Sequence, residues 1–574
     1  MLKRVLKLSF QEVNLSGITL ILVGTFVWSL VMFKSGLTYS FGMGFWGPNA
    51  HDGVWHIALA QSISKGTWEM PIFAGETIKN YHIGFDLLLA ILHKLTFIPI
   101  HTLYFQILPP ILAFFIGYFV YKFTLSWTKS VRCAFWSAFF VYFGGGWGWI
   151  VTLLRNGEIN GESLFWSQQS ISTLVNPPFA LSILVMFAGL WILVKALRTK
   201  NKSFFALTTL LFGILIQIKV YAGILVLAGL FAAGFWNMIR RKGIDVLKVF
   251  TGVAVLSILL FSPATGNVGK TIVFQPFWFL EQMMATPDRF YWPKMASAMA
   301  NYKLAGNWLK LILAYGLAFL VFWYGNLGTR IVKEPYVFRW IKNWKVLTWI
   351  EVFSATVIIT GVMIPMFFIQ SGTPWNTIQF MYYSLIFSGI LAGISLGDLL
   401  NKQNTTLLRS GVVIVLVLLT IPTTVGTLRH YLPSRPPAKI SIAELEALNF
   451  LSQQPEGIIL IQHFNKKLAD EAIDNPPRAL YLYESTAYVS AFTGKQTYLE
   501  DQVNLEITGY DWKGRREEIE KFFTDPEYDG KFELLEKRGI TYVYVIKSLQ
   551  KEYKDLRLDP EKIFENEEVA IYEI

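Results

Sequence analysis

The sequence predicts an α-helical polytopic membrane protein with a C-terminal extracytoplasmic α/β domain. Three observations predict it. Apolar runs long enough to cross a bilayer recur through the first 428 residues. Charged residues make up 16% of the chain and the mean hydropathy is +0.41, whereas soluble domains carry about 25% charge. From about Arg429 the composition changes: a Pro-rich linker gives way to a charged segment with helical and strand-like periods.

Taking about 17–25 residues per span, candidate spans fall near 17–33, 103–121, 133–152, 172–194, 203–219, 221–237, 247–263, 308–324, 348–369, 378–399 and 410–428, about eleven in all. Lys and Arg cluster before the first span (Lys3, Arg4, Lys7), at Lys122/Lys129/Arg132, at Lys195/Arg198/Lys200/Lys202, at Arg240/Arg241/Lys242/Lys248 and through Arg330/Lys333/Arg339/Lys342/Lys345. These clusters alternate, which predicts a cytoplasmic N-terminus and an external C-terminus in the cell membrane. The same rule accounts for the net charge of +11 without a nucleic-acid partner. Cys133 is the single cysteine, so an intramolecular disulfide and a Cys-based zinc site are excluded. No cleavage pattern follows the first apolar run, so it reads as a span rather than a removable signal.

The run "IGFDLLLAILHKLTFI" (83–98) would invert every later loop if it crossed the membrane, and it carries Asp86, His93 and Lys94. It reads as a helix lying on the outer surface. The first external loop then runs over 34–102 with juxtamembrane helices at 51–66 and 83–98. The expected division is a membrane domain 1–428 that includes this loop, and a soluble domain 429–574. Within the latter, "YVYVI" (542–546) and "EVAIYEI" (568–574) alternate as strands do.

"HDGVWHIALAQSISKG" (51–66) carries the most chemistry. Asp52 and His56 are four apart and share a helical face. Such an acid can be a general base, a metal ligand or an N-cap, and the spacing leaves these readings open. His51, Asp52, His56 and His82 could gather a cation, although their spacing matches no strong metal signature. Lys219, isolated between apolar runs, is expected at an external turn near an anion, with snorkelling to headgroups as the alternative. The loop 264–307 is too long for a simple connection; Asp288, Arg289 and its aromatic residues suit either a lid over a sugar or an interfacial anchor. In "QSGTPWNTIQF" (370–380), Trp375 and Asn376 suit a headgroup, or an interfacial ring and a helix cap. Glu351 and Asp398 fall at cytoplasmic ends, and buried midplane acids of the transporter kind are missing from the spans.

The order of parts and three short stretches resemble the GT-C superfamily of membrane glycosyltransferases, which includes protein O-mannosyltransferases, aminoarabinose transferases and oligosaccharyltransferases. "HDGVWHIALAQSISKG" resembles the loop that holds their essential Asp, which carries over onto Asp52. "GILIQIKVYAGILVL" is similar to their "GL…TKG" stretch, whose lysine meets the lipid-linked phosphate and corresponds to Lys219. "YHIGFDLLLAIL" (81–92) is similar to the "YPPLYPLLLALL" segment after the acid. The chain departs from the pattern in having His51-Asp52-Gly53 in place of Asp-Glu or Asp-X-Asp, and it lacks a "WWDYG"-like motif.

The resemblance implies an inverting glycosyltransferase of the cell envelope that moves a sugar from a polyprenyl-phosphate donor to a hydroxyl of a glycan, lipid or protein acceptor at the outer face, amid membrane lipids. Asp52 would be the catalytic base, with His51, His56, His82, Lys219, Asp288, Arg289, Trp375 and Asn376 binding substrates. No cofactor is fixed; a divalent cation is left open, with no metal ligand assigned. The other reading is a non-enzymatic translocase or scaffold for lipid-linked glycans.

Overall fold

The computed structural model describes residues 13–261, 272–402, 405–525, 530–550 and 561–574. The N-terminal basic cluster and the start of the 264–307 loop lie outside them. The chain folds as two compact units, one built from residues up to 31, 109–261 and 272–431, the other from 32–108 and 432 onward.

The first unit is helical. Among the described residues, eight helices are long and apolar enough to cross a membrane, and a ninth if the bent pair Val131–Phe143 and Gly148–Asn156 counts as one span. The two remaining expected spans are shorter helices, Lys202–Gly213 with Leu215–Ile218, and Asp245–Phe261, so a count of eleven is not established. The helix starts follow local chemistry. Asn176 accepts from the Phe179 amide at 3.0 Å, and Pro177, which lacks an amide to satisfy, opens Pro177–Thr199. Thr348 and Glu351 form a reciprocal capping box at the head of Trp349–Phe367. Gln379–Lys402 lies against Val131–Phe143 at Gly393, where a Cβ would sit 2.2 Å from the Ser137 amide nitrogen; only a bare α-carbon allows that approach.

The second unit contains two sheets. One runs in the order Glu561–Glu565, Val569–Glu573, Ile540–Ile546, Ile458–Ile461, Gln496–Thr497. Its first three strands are antiparallel, and Ile458–Ile461 is parallel to both of its neighbours. The other sheet joins Leu37–Tyr39 and Gly42–Phe45 of the first loop to Ala438–Ile440 and Arg478–Ala479. The first loop thus folds with the C-terminal segment, whereas the sequence division places that loop with the spans. Helix Asp52–Ser64 is buried along nearly its whole length and packs on Gly84–Thr96, so it is a core element rather than an amphipathic surface helix. Gly84–Thr96 has 13 residues, too few to span, and Leu87, Ile91 and Leu95 form an exposed apolar stripe on it.

Burial in this unit carries a pH dependence. Glu444 is pushed up to about 8, Glu500 to about 7 and Asp501 to about 6, each chiefly by desolvation. Hydrogen bonds from Tyr488 to Glu444, and from the Val489 and Ser490 amides to Glu500, only partly offset that. Folded carboxyls then keep protons that the unfolded chain has released, so this stability is full below about pH 4 and is lost as pH rises through 6 to 8. The melting temperature should fall between pH 5.5 and 8.5. Glu444→Gln should recover on the order of 2 kcal/mol at the alkaline end. A melting temperature that rises with pH over this window would contradict the burial of these acids.

Candidate functional site

The acidic end of the second unit starts at the turn Gly47–Ala50 and breaks at His51, whose φ and ψ of −106° and −81° end the turn and release the helix. Asp52 is the first helical residue rather than its cap. The N-cap position belongs to His51, whose side chain makes no capping bond. Asp52 is exposed, and the orphan amides of the helix N-terminus favour its negative charge. His51 Nδ1 lies 2.6 Å from the Ser485 carbonyl oxygen. A carbonyl only accepts, so Nδ1 carries the proton and neutral His51 has its lone pair on Nε2. The His51 ring meets Tyr483 at 5.0 Å. Asp501 is held up to about 6 first by burial, and the charge of Asp52 adds to the shift. Two carboxyls therefore face a common region.

The other histidines of this stretch do different work. His56 is 3% exposed and its Nδ1 pairs with Asp86 Oδ1 at 2.7 Å, so it ties Asp52–Ser64 to Gly84–Thr96 instead of facing a substrate. His82 stacks on Tyr81 at 4.5 Å, and Tyr81 in turn meets Trp55 edge-on. Among the described residues no three His, Cys, Asp or Glu side chains are grouped to hold a metal ion.

The first unit contains a cavity of about 690 Å³, walled by Glu162, Trp166, Arg289, Trp375, Tyr382 and His430 among others. Glu162 is its acid. It accepts from the Gln169 amide at 2.7 Å and the Ser172 hydroxyl at 2.9 Å, and burial still raises it to about 7. Arg289 lies over the Trp166 ring at 4.2 Å and donates to the Ser163 carbonyl at 3.4 Å. Asp288 is exposed and pairs loosely with Arg289 at 3.5 Å, outside the cavity wall. Trp375 contributes a half-exposed ring to the wall. Asn376 does not line it. Asn376 donates to Gln370 and accepts from Gln379, pinning the turn Pro374–Ile378, whose N-cap is Thr373.

Lys219 occupies an extended break between Leu215–Ile218 and Val220–Ile239. It is 5% exposed, which excludes snorkelling, and its Nζ reaches Asn176 Oδ1 at 3.4 Å. Asn176 heads the helix after the turn Ser170–Val175, which supplies Ser172 to Glu162. Lys219 thus sits behind this wall of the cavity rather than on it.

Two residues of this region do not stand out in the sequence. Glu162 reads as one acid in a polar loop, "RNGEINGESLFW"; its flanking glycines and aromatics are the available signal. Arg330 reads as one member of a cytoplasmic cluster, but it is 1% exposed. Its guanidinium donates to Gln169 Oε1 (2.8 Å), the Asn326 carbonyl (3.2 Å), the Gly144 carbonyl (2.7 Å) and Ser170 Oγ (3.0 Å). Those acceptors come from the break after Val131–Phe143, from the preceding helical turn and from the segment that holds Glu162. The close packing there requires Gly328 at φ 55°, where a Cβ would fall 1.8 Å from the Gly145 oxygen.

No family model matches the chain, and no curated protein matches it in sequence. Solved structures do. The oligosaccharyltransferase of Archaeoglobus fulgidus in its apo form superposes with a TM-score of 0.51 at 12% identity, covering 94% of this chain and 70% of that one. The same enzyme tethered by a disulfide to an acceptor peptide containing the NVT sequon gives 0.50 at 12% identity, with 93% and 69% covered. At this identity the likeness is one of fold, and it extends over nearly the whole chain.

Proposed function

We propose that the protein is a membrane glycosyltransferase that moves a sugar from a polyprenyl-phosphate donor to an acceptor hydroxyl at the outer face, with inversion at the anomeric carbon. The observation that carries this reading is the cavity of about 690 Å³ in the membrane unit, in which a buried carboxyl raised to about 7 stands beside an arginine and tryptophan rings. Aromatic faces suit a sugar ring, Arg289 suits a phosphate oxygen, and a carboxyl that ionises near neutrality suits the positive charge that develops on the sugar. The fold likeness to an oligosaccharyltransferase supports the same chemistry.

A polyprenyl-phosphate sugar already carries its leaving group. What the protein must add is removal of the acceptor's proton and stabilisation of the departing phosphate. Asp52, exposed at a helix N-terminus, is assigned the proton, with His51 beside it. Lys219 and Arg289 supply positive charge for the phosphate.

The test is transfer of labelled sugar from a synthetic polyprenyl-phosphate donor by the purified chain. Lys219→Met should weaken donor binding by roughly tenfold while leaving apparent acceptor affinity nearly unchanged, since a positive charge behind the cavity wall is lost. Wild-type donor affinity in that variant would remove Lys219 from the phosphate site. Glu162 should show in the pH profile. Transfer should rise with pH through an apparent pKa of about 7, because ionised Glu162 stabilises the positive charge that develops on the sugar as the phosphate departs, and Glu162→Gln should flatten that limb. A limb at 7 that survives Glu162→Gln belongs to another group.

A further inference from the structure

The second unit has a cavity of its own at the place where open α/β sheets bind ligands. Ile458–Ile461 runs parallel to Ile540–Ile546 and to Gln496–Thr497. The chain leaving the carboxyl ends of all three strands, at Gln462, Ile546 and Leu499 to Gln502, converges on one cavity of about 50 Å³. Tyr481, Tyr483 and Thr486 close its other side.

The wall is polar and incompletely satisfied. Gln462 spends its Oε1 accepting from the Ile546 amide at 2.7 Å, which fixes the amide orientation and leaves Nε2 as a donor. Gln462 Nε2, Thr486 Oγ1 and Tyr544 Oη are buried and find no hydrogen-bond partner among the described residues. Their side chains are 8%, 5% and 1% exposed. Buried polar groups left without partners mark a place where something else supplies the bond. Glu500 and Asp501 stand in the same wall.

These groups select a ligand class. Glu484, which also lines the cavity, joins Glu500 and Asp501 in opposing an anion. A donor-only amide nitrogen gains nothing from an ammonium, which has no acceptor to offer. An apolar group would strand all three polar atoms. Hydroxyls both donate and accept, and the space holds about three to five water-sized groups, the size of one edge of a sugar. We propose that this cavity binds the hydroxyl-bearing edge of a neutral saccharide, with Gln462, Thr486 and Tyr544 as its hydrogen-bonding contacts. His51, next to Asp52, bonds to Ser485 and packs on Tyr483 beside the cavity. That the bound saccharide is the acceptor of the transfer rests on the glycosyltransferase reading; binding itself does not.

The full chain in lipid nanodiscs can be probed by saturation-transfer NMR with maltotriose, mannobiose and chitobiose, and with glucosamine and glucose 6-phosphate as charged counterparts. At least one neutral probe should bind, and Tyr544→Phe and Gln462→Glu should each weaken it about tenfold. Tyr544→Phe removes a hydroxyl that has no partner among the described residues, so its melting temperature should match or exceed the parent's, which separates lost binding from lost fold. Gln462→Glu keeps an oxygen that accepts from Ile546 and replaces the amide donor with a second carboxyl oxygen. That oxygen opposes a neutral hydroxyl less than it would an anion, but it no longer donates once ionised. Failure of all three neutral probes, binding of the charged probes alone, or unchanged affinity in both variants would overturn the proposal. Saccharide binding without any transfer from a polyprenyl-phosphate donor would retain this site and reject the glycosyltransferase reading.

Discussion

Asp52→Asn should abolish sugar transfer, with a loss of about 10²–10⁴-fold in turnover, the range that a positioned general base contributes. The substitution is close to isosteric and the residue is exposed, so packing is not disturbed. The one structural cost is the negative charge in the first helical turn, about 0.3–1 kcal/mol, too small to unfold the chain. A second readout accompanies the first. Asp501 is held up partly by the charge of Asp52, so its carboxyl should titrate lower in the variant. Donor binding should persist, because the groups assigned to the phosphate are Lys219 and Arg289. Turnover equal to the parent's would remove Asp52 from catalysis and leave its carboxylate as a partner of the helix dipole alone.

The parts of this fold that can be read from the sequence are those fixed by local chemistry. The Asn176-Pro177 start, the Thr348/Glu351 box and the alternation of "YVYVI" each report on neighbouring residues, and each lies where the structure has a helix start or a strand. What cannot be read depends on distant partners. Gly42–Phe45 becomes a strand because Ala438–Ile440, almost four hundred residues later, pairs with it. His56 resembles a ligand because spacing shows its neighbours on the helix and not Asp86 on the next one. Helix Asp52–Ser64 reads as a juxtamembrane helix of an external loop because sequence shows polarity but not burial from all sides. The bonds of Arg330 are invisible in the sequence for a related reason. Counting positive charges locates loops on average, but it does not reveal which arginine has its guanidinium surrounded by carbonyls. The site is legible to the same extent: the acid at position 52 stands out in an apolar chain, whereas Glu162 gains its character only from the burial that lifts it to about 7.

Arg330 should be the residue whose loss costs most in the membrane unit. A guanidinium buried to 1% exposure loses its hydration, so its presence there has to be offset by bonds. Four neutral acceptors supply them, from Gly144, Gln169, Ser170 and Asn326. Arg330→Met relieves the desolvation cost but leaves those buried oxygens short of a donor, a penalty of about 1–3 kcal/mol each before relaxation. A net destabilisation on the order of 3 kcal/mol is expected, visible as a lower melting temperature. The consequence for chemistry follows from Gln169 and Ser170. Both belong to the segment whose Gln169 amide and Ser172 hydroxyl hold Glu162. With the guanidinium gone, that segment loosens and Glu162 loses stabilisation of its charged form, so the pH limb near 7 should move upward. Arg330→Lys should restore part of the stability and little of the limb, because one ammonium cannot span acceptors that a planar fork reaches from two nitrogens. A parental pH profile in Arg330→Met, measured on protein that remains folded, would confine Arg330 to holding the helix break together.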